Sequence, residues 1–222
     1  MTKITAGTCI QVFAKTPVTG QCKTRLIPAL GIDGATALHK AMVQHTLNTA
    51  TNAGLGPVEL WCTPSQQHRF FSDCLKQYPL TLHQQCGHDL GTRMAYAMKY
   101  ALQKYQQVIL IGTDCPTLDE NNLRQAQRQL VSGYDAVIGP AQDGGYVLIA
   151  LRRTDAKIFQ SINWGTDTVL QQTRQRLIQL HFHWHELKSH RDIDTPDDLD
   201  TLINDNGEIE IGAQRILVNR SD

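Results

Sequence analysis

The stretch Val108-Ile109-Leu110-Ile111-Gly112-Thr113-Asp114-Cys115-Pro116 decides the fold. Four apolar residues in a row, Val108 to Ile111, read as a short buried strand. The run stops at Gly112-Thr113-Asp114, and Pro116 cannot continue a hydrogen-bonded ladder. One carboxylate, Asp114, is left at the carboxyl end of a central strand. In open α/β sheets that is where ligands bind. A strand-end aspartate can equally serve as a turn-former or helix cap, so both roles stay open for Asp114.

Strand and helix patterns alternate outward from this point. Thr8–Ala14, Val58–Cys62, Leu80–Gln84, Tyr134–Ile138, Tyr146–Leu151 and His181–Leu187 read as strands. Helices are expected from about Gly34 to Ala53 with Asp33 as cap, and after Ser65. Another follows Asp89, with Leu90, Met94, Ala97 and Ala101 on one face. Three more are expected after Asp119, after Trp164-Gly165-Thr166-Asp167, and from Pro196 to about Ile203. This alternation predicts an α/β fold with a mostly parallel central sheet and helices on both faces. One domain spanning 1–222 is expected, with a core over about 8–204 and a polar tail over 205–222, in which Ile209–Ile211 and Ile216–Val218 could form an edge strand.

The chain has 222 residues, 21 basic and 21 acidic, for a formal net charge of +0. Global attraction to nucleic acid or to an anionic membrane is therefore not expected. No apolar stretch approaches the roughly 20 residues of a membrane span. Residues 1–7 lack the apolar core of a signal peptide, so a cytoplasmic location is expected. The six cysteines form no CxxC pair, which favours reduced thiols. His181, His183 and His185 alternate as a strand face would, but lack a further ligand at zinc spacing.

Polar, glycine-bearing loops follow the strands, and in a parallel sheet they open at one edge. Lys15 to Arg25 (KTPVTGQCKTR) combines Gly20 with Lys15, Lys23, Thr24 and Arg25. Backbone amides and lysines of this kind hold a pyrophosphate, although a solvated basic loop would look the same. The loop lacks the GxxxxGK[ST] and GxGxxG patterns. A second loop carries Gln85, Asp89 and Gly91, the third is Gly112–Pro116 with Asp114, and a fourth carries Asp143, Gly144 and Gly145 ahead of Tyr146. The fifth, Asp192-Ile193-Asp194-Thr195, adds two carboxylates. A hard cation such as Mg²⁺ needs one or two carboxylates and completes its shell with water and phosphate. Asp192, Asp194 and Asp143 are the candidates to join Asp114, and Asp194 could instead cap the Pro196 helix.

Together these stretches resemble a known family. Phe13-Ala14-Lys15-Thr16-Pro17-Val18-Thr19-Gly20 with Lys23-Thr24-Arg25-Leu26 is similar to its opening motif. Gly112-Thr113-Asp114-Cys115-Pro116-Thr117-Leu118 and Gly139-Pro140-Ala141-Gln142-Asp143-Gly144-Gly145-Tyr146 resemble its next two. Trp164-Gly165-Thr166 and Asp192–Leu199 complete the set. The pattern is that of the bacterial nucleotide-diphospho-sugar transferase-like family, also called glycosyltransferase A or radical-SAM/selenodomain-associated transferases. It is related to the molybdenum-cofactor nucleotidyltransferases and the 2-phospholactate guanylyltransferases. The resemblance implies a GT-A fold, a Rossmann-like sandwich, and a metal-dependent transferase acting on an activated nucleotide. A nucleotide-diphospho-sugar is the leading donor, and nucleotidyl transfer from a nucleoside triphosphate is the alternative. A non-catalytic nucleotide-binding module is the rival from another class. Implied partners are the nucleotide and a small-molecule acceptor.

By the same resemblance Asp114 matches the metal-binding aspartate, with Mg²⁺ or Mn²⁺ also held from Asp192 or Asp194. Lys15, Gly20, Lys23, Thr24, Arg25, Gln85, Asp89, Gly91, Gly144, Gly145 and Tyr146 are the expected nucleotide or substrate residues. Asp114, Lys23 and Asp143 are the expected catalytic ones. Pro116 stands where a D-x-D motif has its second aspartate, so this strand offers one metal ligand. The chain also lacks the A-G-G-x-S-x-R-M-G opening of most nucleotidyltransferases.

Overall fold

A computed structural model describes residues 5–203, 208–211 and 214–217. The buried apolar runs become strands β1 (Thr5–Lys15), β2 (Val58–Thr63), β3 (Leu80–Gln84), β4 (Tyr105–Ile111), β5 (Ala136–Pro140), β6 (Tyr146–Leu151) and β7 (Trp184–Glu186). They form a seven-stranded sheet in the order β3-β2-β1-β4-β6-β5-β7. Every pairing is parallel except the two made by β6, which runs antiparallel between β4 and β5. The predicted mostly parallel sheet is therefore observed. Because β5 and β7 still run in the direction of β4, the loops after β1, β3, β4, β5 and β7 all open at one edge.

Helices α1 (Ile27–Asn52), α2 (Arg69–Gln77), α3 (Leu90–Leu102), α4 (Glu120–Val131), α5 (Val169–Gln179) and α6 (Pro196–Leu199) cover the sheet. One apolar layer joins Val43, Leu47, Phe71, Leu123 and Leu130 to Ile10, Val12, Ile109 and Ile111. The opposite layer joins Met94, Met98, Leu170 and Leu177 to Val108, Leu110, Ile149 and Leu151. Alternate residues of β4 thus serve opposite faces, as the two-residue period of a strand requires. Its Val108–Ile111 run is uninterrupted because both faces are covered. A third cluster packs Leu26, Leu38 and Met42 of the α1 region against Ile193 and Leu199. Ile209 and Ile211 of the hairpin β8 (Glu208–Ile211) and β9 (Gln214–Leu217) join this cluster. The suggested late strand is thus a hairpin; Val218 lies outside the described residues.

Several boundaries differ from expectation. Helix α1 begins at Ile27, and Asp33 lies inside it instead of capping it. Pro28 fits the first turn, where its missing N–H costs nothing. Gly31 at φ 69 kinks the chain, which hid this turn from a periodicity reading. His68, not Ser65, caps α2, its side chain accepting from the Phe70 amide. Asp89 and Asp119 cap α3 and α4 as expected, each in a capping box. β7 is only three residues, so of the alternating histidines only His185 lies in a strand. Among the described residues no group of three His, Cys, Asp or Glu could by itself hold a metal. All six cysteines are free, as composition suggested. No described helix is long and apolar enough to cross a membrane.

Candidate active site

The loop after β1 turns at Gly20 (φ 76) and reaches Lys23 in a left-handed conformation, φ 48 and ψ 41. This backbone is uncommon for a residue with a side chain and costs of order 1–3 kcal/mol. It turns the Lys23 side chain inward, leaving it 4% exposed. The Nζ lies 2.6 Å from Asp114 Oδ1 and 3.1 Å from Asp194 Oδ1, and donates to the Ile193 carbonyl. Burial alone would lower the Lys23 pKa. The carboxylates of Asp114 and Asp194 outweigh burial and hold it above the usual lysine value. Lys23 is therefore charged at any physiological pH.

The Asp192–Thr195 loop is tied to the end of β4, where the Ile193 amide donates to the Asp114 carbonyl at 2.8 Å. The alternative capping role of Asp194 does not hold. Thr195 is the cap of α6, and Asp198 pins the turn by accepting from the Asp194 and Thr195 amides at 3.1 and 2.8 Å. The Asp194 side chain is thereby directed to Lys23 and to Arg25, whose guanidinium is 3.6 Å away.

Two cavities adjoin at Asp114. The polar lobe, about 430 Å³, is lined by Lys15, Lys23, Thr24, Arg25, Gln85, Asp114 and Asp194. Gln85 is held there by its side-chain Nε2, which donates a hydrogen bond to the Trp61 carbonyl at 2.9 Å. Sequence reasoning missed His39 and Arg93 in this lobe. His39 Nε2 lies 2.8 Å from the Lys15 carbonyl, and burial lowers its pKa, so the neutral ring holds the loop by donating there. Nothing in the local sequence marks a buried histidine in mid-helix as part of a site. Arg93 follows a glycine-bearing loop in the first turn of α3, a signal that was readable.

The second lobe, about 270 Å³, is mainly apolar, with Phe13, Leu90, Met94, Tyr146 and Trp164 among its walls. Asp114, Asp143 and Asp192 are its carboxylates. Burial raises Asp192 first of all, then repulsion from Asp143 and Asp194, to a pKa of about 6. Asp143 Oδ1 accepts from the Gly145 amide at 2.8 Å, fixing the turn that presents it. The Tyr146 ring lines the cavity, but its hydroxyl is buried, so the ring and not the hydroxyl faces a ligand. Burial pushes that hydroxyl's pKa up. Gly112, on the seam between the lobes, has nothing within 4 Å of where a Cβ would stand.

Four expected residues line neither lobe, and each has another local role. Gly20 makes the turn. Asp89 caps α3, accepting from Thr92 at 2.7 Å. A Cβ on Gly91 would come 2.6 Å from the Phe159 carbonyl oxygen, and one on Gly144 only 2.1 Å from the Asp167 carbonyl oxygen. These two glycines seat the segment that carries Trp164.

Asp114 and Asp194 converge on one cationic position, now filled by the Lys23 ammonium. That pair, completed by phosphate and water, suits Mg²⁺ or Mn²⁺; it does not suit an all-protein zinc cage. Asp192 lies in the same loop, on the other lobe.

Comparison with known proteins agrees with the motif reading. Residues 46–166 match the family described as "Uncharacterized protein conserved in bacteria (DUF2064)". The chain belongs to this DUF2064 family. A solved structure from Desulfovibrio desulfuricans G20, provisionally described as a nucleotide-diphospho-sugar transferase, is 32% identical. The match covers 90% of this chain and 87% of that one, with a TM-score of 0.80. The DUF2064 chain also shares its fold with 4-diphosphocytidyl-2C-methyl-D-erythritol synthase from Anaerococcus prevotii DSM 20548. That pair is 12% identical, covers 88% and 95% of the two chains, and has a TM-score of 0.59. The inositol-1-phosphate CTP transferase from T. maritima gives 13%, 89% and 92%, and 0.55. No curated protein matches by sequence.

Proposed function

We propose that this DUF2064 chain is a metal-assisted transferase that uses an activated nucleotide. The observation that carries the reading is the buried Lys23 ammonium between Asp114 and Asp194, beneath a loop bearing Lys15, Thr24 and Arg25. In this reading Lys15, Lys23, Arg25 and Arg93 hold the donor phosphates in the polar lobe. Gln85 fixes the wall beside them. The second lobe holds the acceptor, and Asp114 stands where the two meet.

Asp114 and Asp194 are the residues that would hold Mg²⁺ or Mn²⁺, with Asp192 nearby. When bound, the ion would neutralise charge developing on the leaving phosphate. Lys23, drawn from the two carboxylates to the donor phosphates, would add a cation toward the same end, in a water-poor setting where a charge acts strongly. Asp143, exposed on its turn at the acceptor lobe, is the group placed to take the acceptor's proton.

A nucleotide-diphospho-sugar is the leading donor, supported by the description of the 32% identical relative. The acceptor oxygen would then attack the sugar carbon, and the nucleoside diphosphate would leave. The second reading is nucleotidyl transfer, supported by the names of the cytidylyl-transferring proteins that share the fold. There the acceptor attacks the α-phosphorus and pyrophosphate leaves.

A thermal-shift panel of nucleoside triphosphates and nucleotide-sugars with Mg²⁺ or Mn²⁺ tests the reading, because a ligand of the folded state raises its melting temperature. Stabilisation by nucleotide-sugars, followed by release of nucleoside diphosphate, is expected. Release of pyrophosphate selects the second reading. Binding without turnover against any acceptor leaves only a binding module, and no stabilisation by any nucleotide contradicts the proposal.

A further inference from the structure

The two lobes differ in charge as well as polarity. Lys15, Lys23, Arg25 and Arg93 all line the polar lobe. Among the described residues no Lys, Arg or His lines the second lobe, whose ionisable groups facing the cavity are Asp114, Asp143 and Asp192, with the Tyr146 ring beside them. Asp114 is paired with Lys23, and the wall's remaining charge is that of Asp143 and Asp192; ionised carboxylates only accept hydrogen bonds, so this wall asks for donors. It also repels phosphate and carboxylate groups, and an apolar surround strengthens the repulsion relative to water.

The remaining wall is apolar and largely flat-faced. Phe13, Leu90 and Trp164 line it, and Leu90 is 42% exposed although it lies on the first turn of a well-packed helix. Trp164 stands edge-on to Tyr146, with centroids 6.3 Å apart at 81°. An indole held in this way offers a face to an apolar ring or to a cation. The volume, about 270 Å³, lies just below the roughly 300–1,000 Å³ of ordinary ligand clefts, enough for one compact ring system.

We infer that the acceptor is a small compound with one apolar face and hydroxyl or amine donors, and that it carries no phosphate or carboxylate. This rests on the proposed assignment of the second lobe to the acceptor. It separates this chain from a transferase whose acceptor is a phosphate ester, for which a cation would be needed in this lobe.

The test uses three matched probes on the ¹⁵N-labelled 222-residue chain: 2-phenylethanol, 2-phenylethylamine and 2-phenylethyl phosphate. The reporter is the Trp164 indole N–H resonance, identified with Trp164→Phe. The alcohol and the amine should shift it saturably, and the phosphate at least tenfold more weakly, with or without Mg²⁺. Asp143→Asn, which keeps an oxygen for the Gly145 amide, should narrow the gap between phosphate and alcohol. Phosphate binding as tight as the alcohol, or no probe reaching Trp164, would overturn the inference. Nucleotide binding is measured on the same sample by the Thr24 amide in the polar lobe. Loss of the transferase reading would appear there, independently of the probes.

Discussion

Lys23 Nζ lies 2.6 Å from Asp114 Oδ1, a buried ammonium against a half-exposed carboxylate, and 3.1 Å from Asp194 Oδ1. A divalent ion bound by both carboxylates would have to occupy the position that this ammonium holds. On the proposed reading, lysine and metal would compete until nucleotide phosphates drew the lysine away. Metal binding should depend on nucleotide, because the phosphates both supply ligands and give Lys23 a new partner.

Lys23→Met removes the competitor and keeps the apolar stem. The variant should bind Mn²⁺ without nucleotide, measured as loss of the free Mn²⁺ signal in electron paramagnetic resonance, whereas the native protein should not. Its nucleotide affinity should fall by about 1.5–3 kcal/mol, the usual worth of a charge-assisted hydrogen bond. Equal Mn²⁺ binding by both proteins would show that Lys23 does not guard the site.

Asp192 gives a pH test. Its folded pKa is raised to about 6, above the ordinary aspartate value, first by burial and then by Asp143 and Asp194. The folded state holds this proton more tightly than the unfolded state does. The group therefore favours folding below its unfolded pKa, and that advantage is lost as pH rises from about 4 through 6. Asp192→Asn should raise the melting temperature at pH 7–8, and the gain should shrink toward zero at pH 4. A gain independent of pH would contradict the assigned cause. Stabilisation on removing a charged side chain is the pattern of a site kept for function.

Most of the architecture was legible because the strands obey simple rules. Val108–Ile111 is an unbroken apolar run since β4 is covered on both faces. Tyr146–Leu151 and Leu80–Gln84 match their observed strands residue for residue. The antiparallel direction of β6 was not legible, because an apolar run carries no direction. The start of α1 was missed because Gly31 interrupts its helical conformation. Within the candidate site, Lys15, Lys23, Thr24, Arg25, Gln85, Asp114 and Asp194, which are far apart in sequence, all line one lobe. Gly91 and Gly144 are expected among the nucleotide or substrate residues, and the structure shows close packing against other parts of the chain at both. Composition cannot tell a glycine that admits a ligand from one that admits another part of the chain.

Gly144→Ala tests that distinction. The new Cβ would stand 2.1 Å from the Asp167 carbonyl oxygen, and φ 89 is strained for alanine. The strap carrying Trp164 must move, at a cost of about 1–3 kcal/mol. A lowered melting temperature and an altered Trp164 indole resonance are expected without any ligand. An unchanged melting temperature with lost ligand binding would restore the ligand-approach role.

The central claim is that Asp114 anchors a metal through which this chain grips a nucleotide. It is tested most directly by calorimetry of the best-binding nucleotide, with and without Mn²⁺, on the native protein and on Asp114→Ala. Asp114 is half-exposed at a strand end, so the variant should keep the fold. Native affinity should rise at least tenfold with Mn²⁺, and the variant should lose that increment while retaining metal-free binding through the cationic loop. A variant whose affinity rises with Mn²⁺ as the native protein's does would contradict the account.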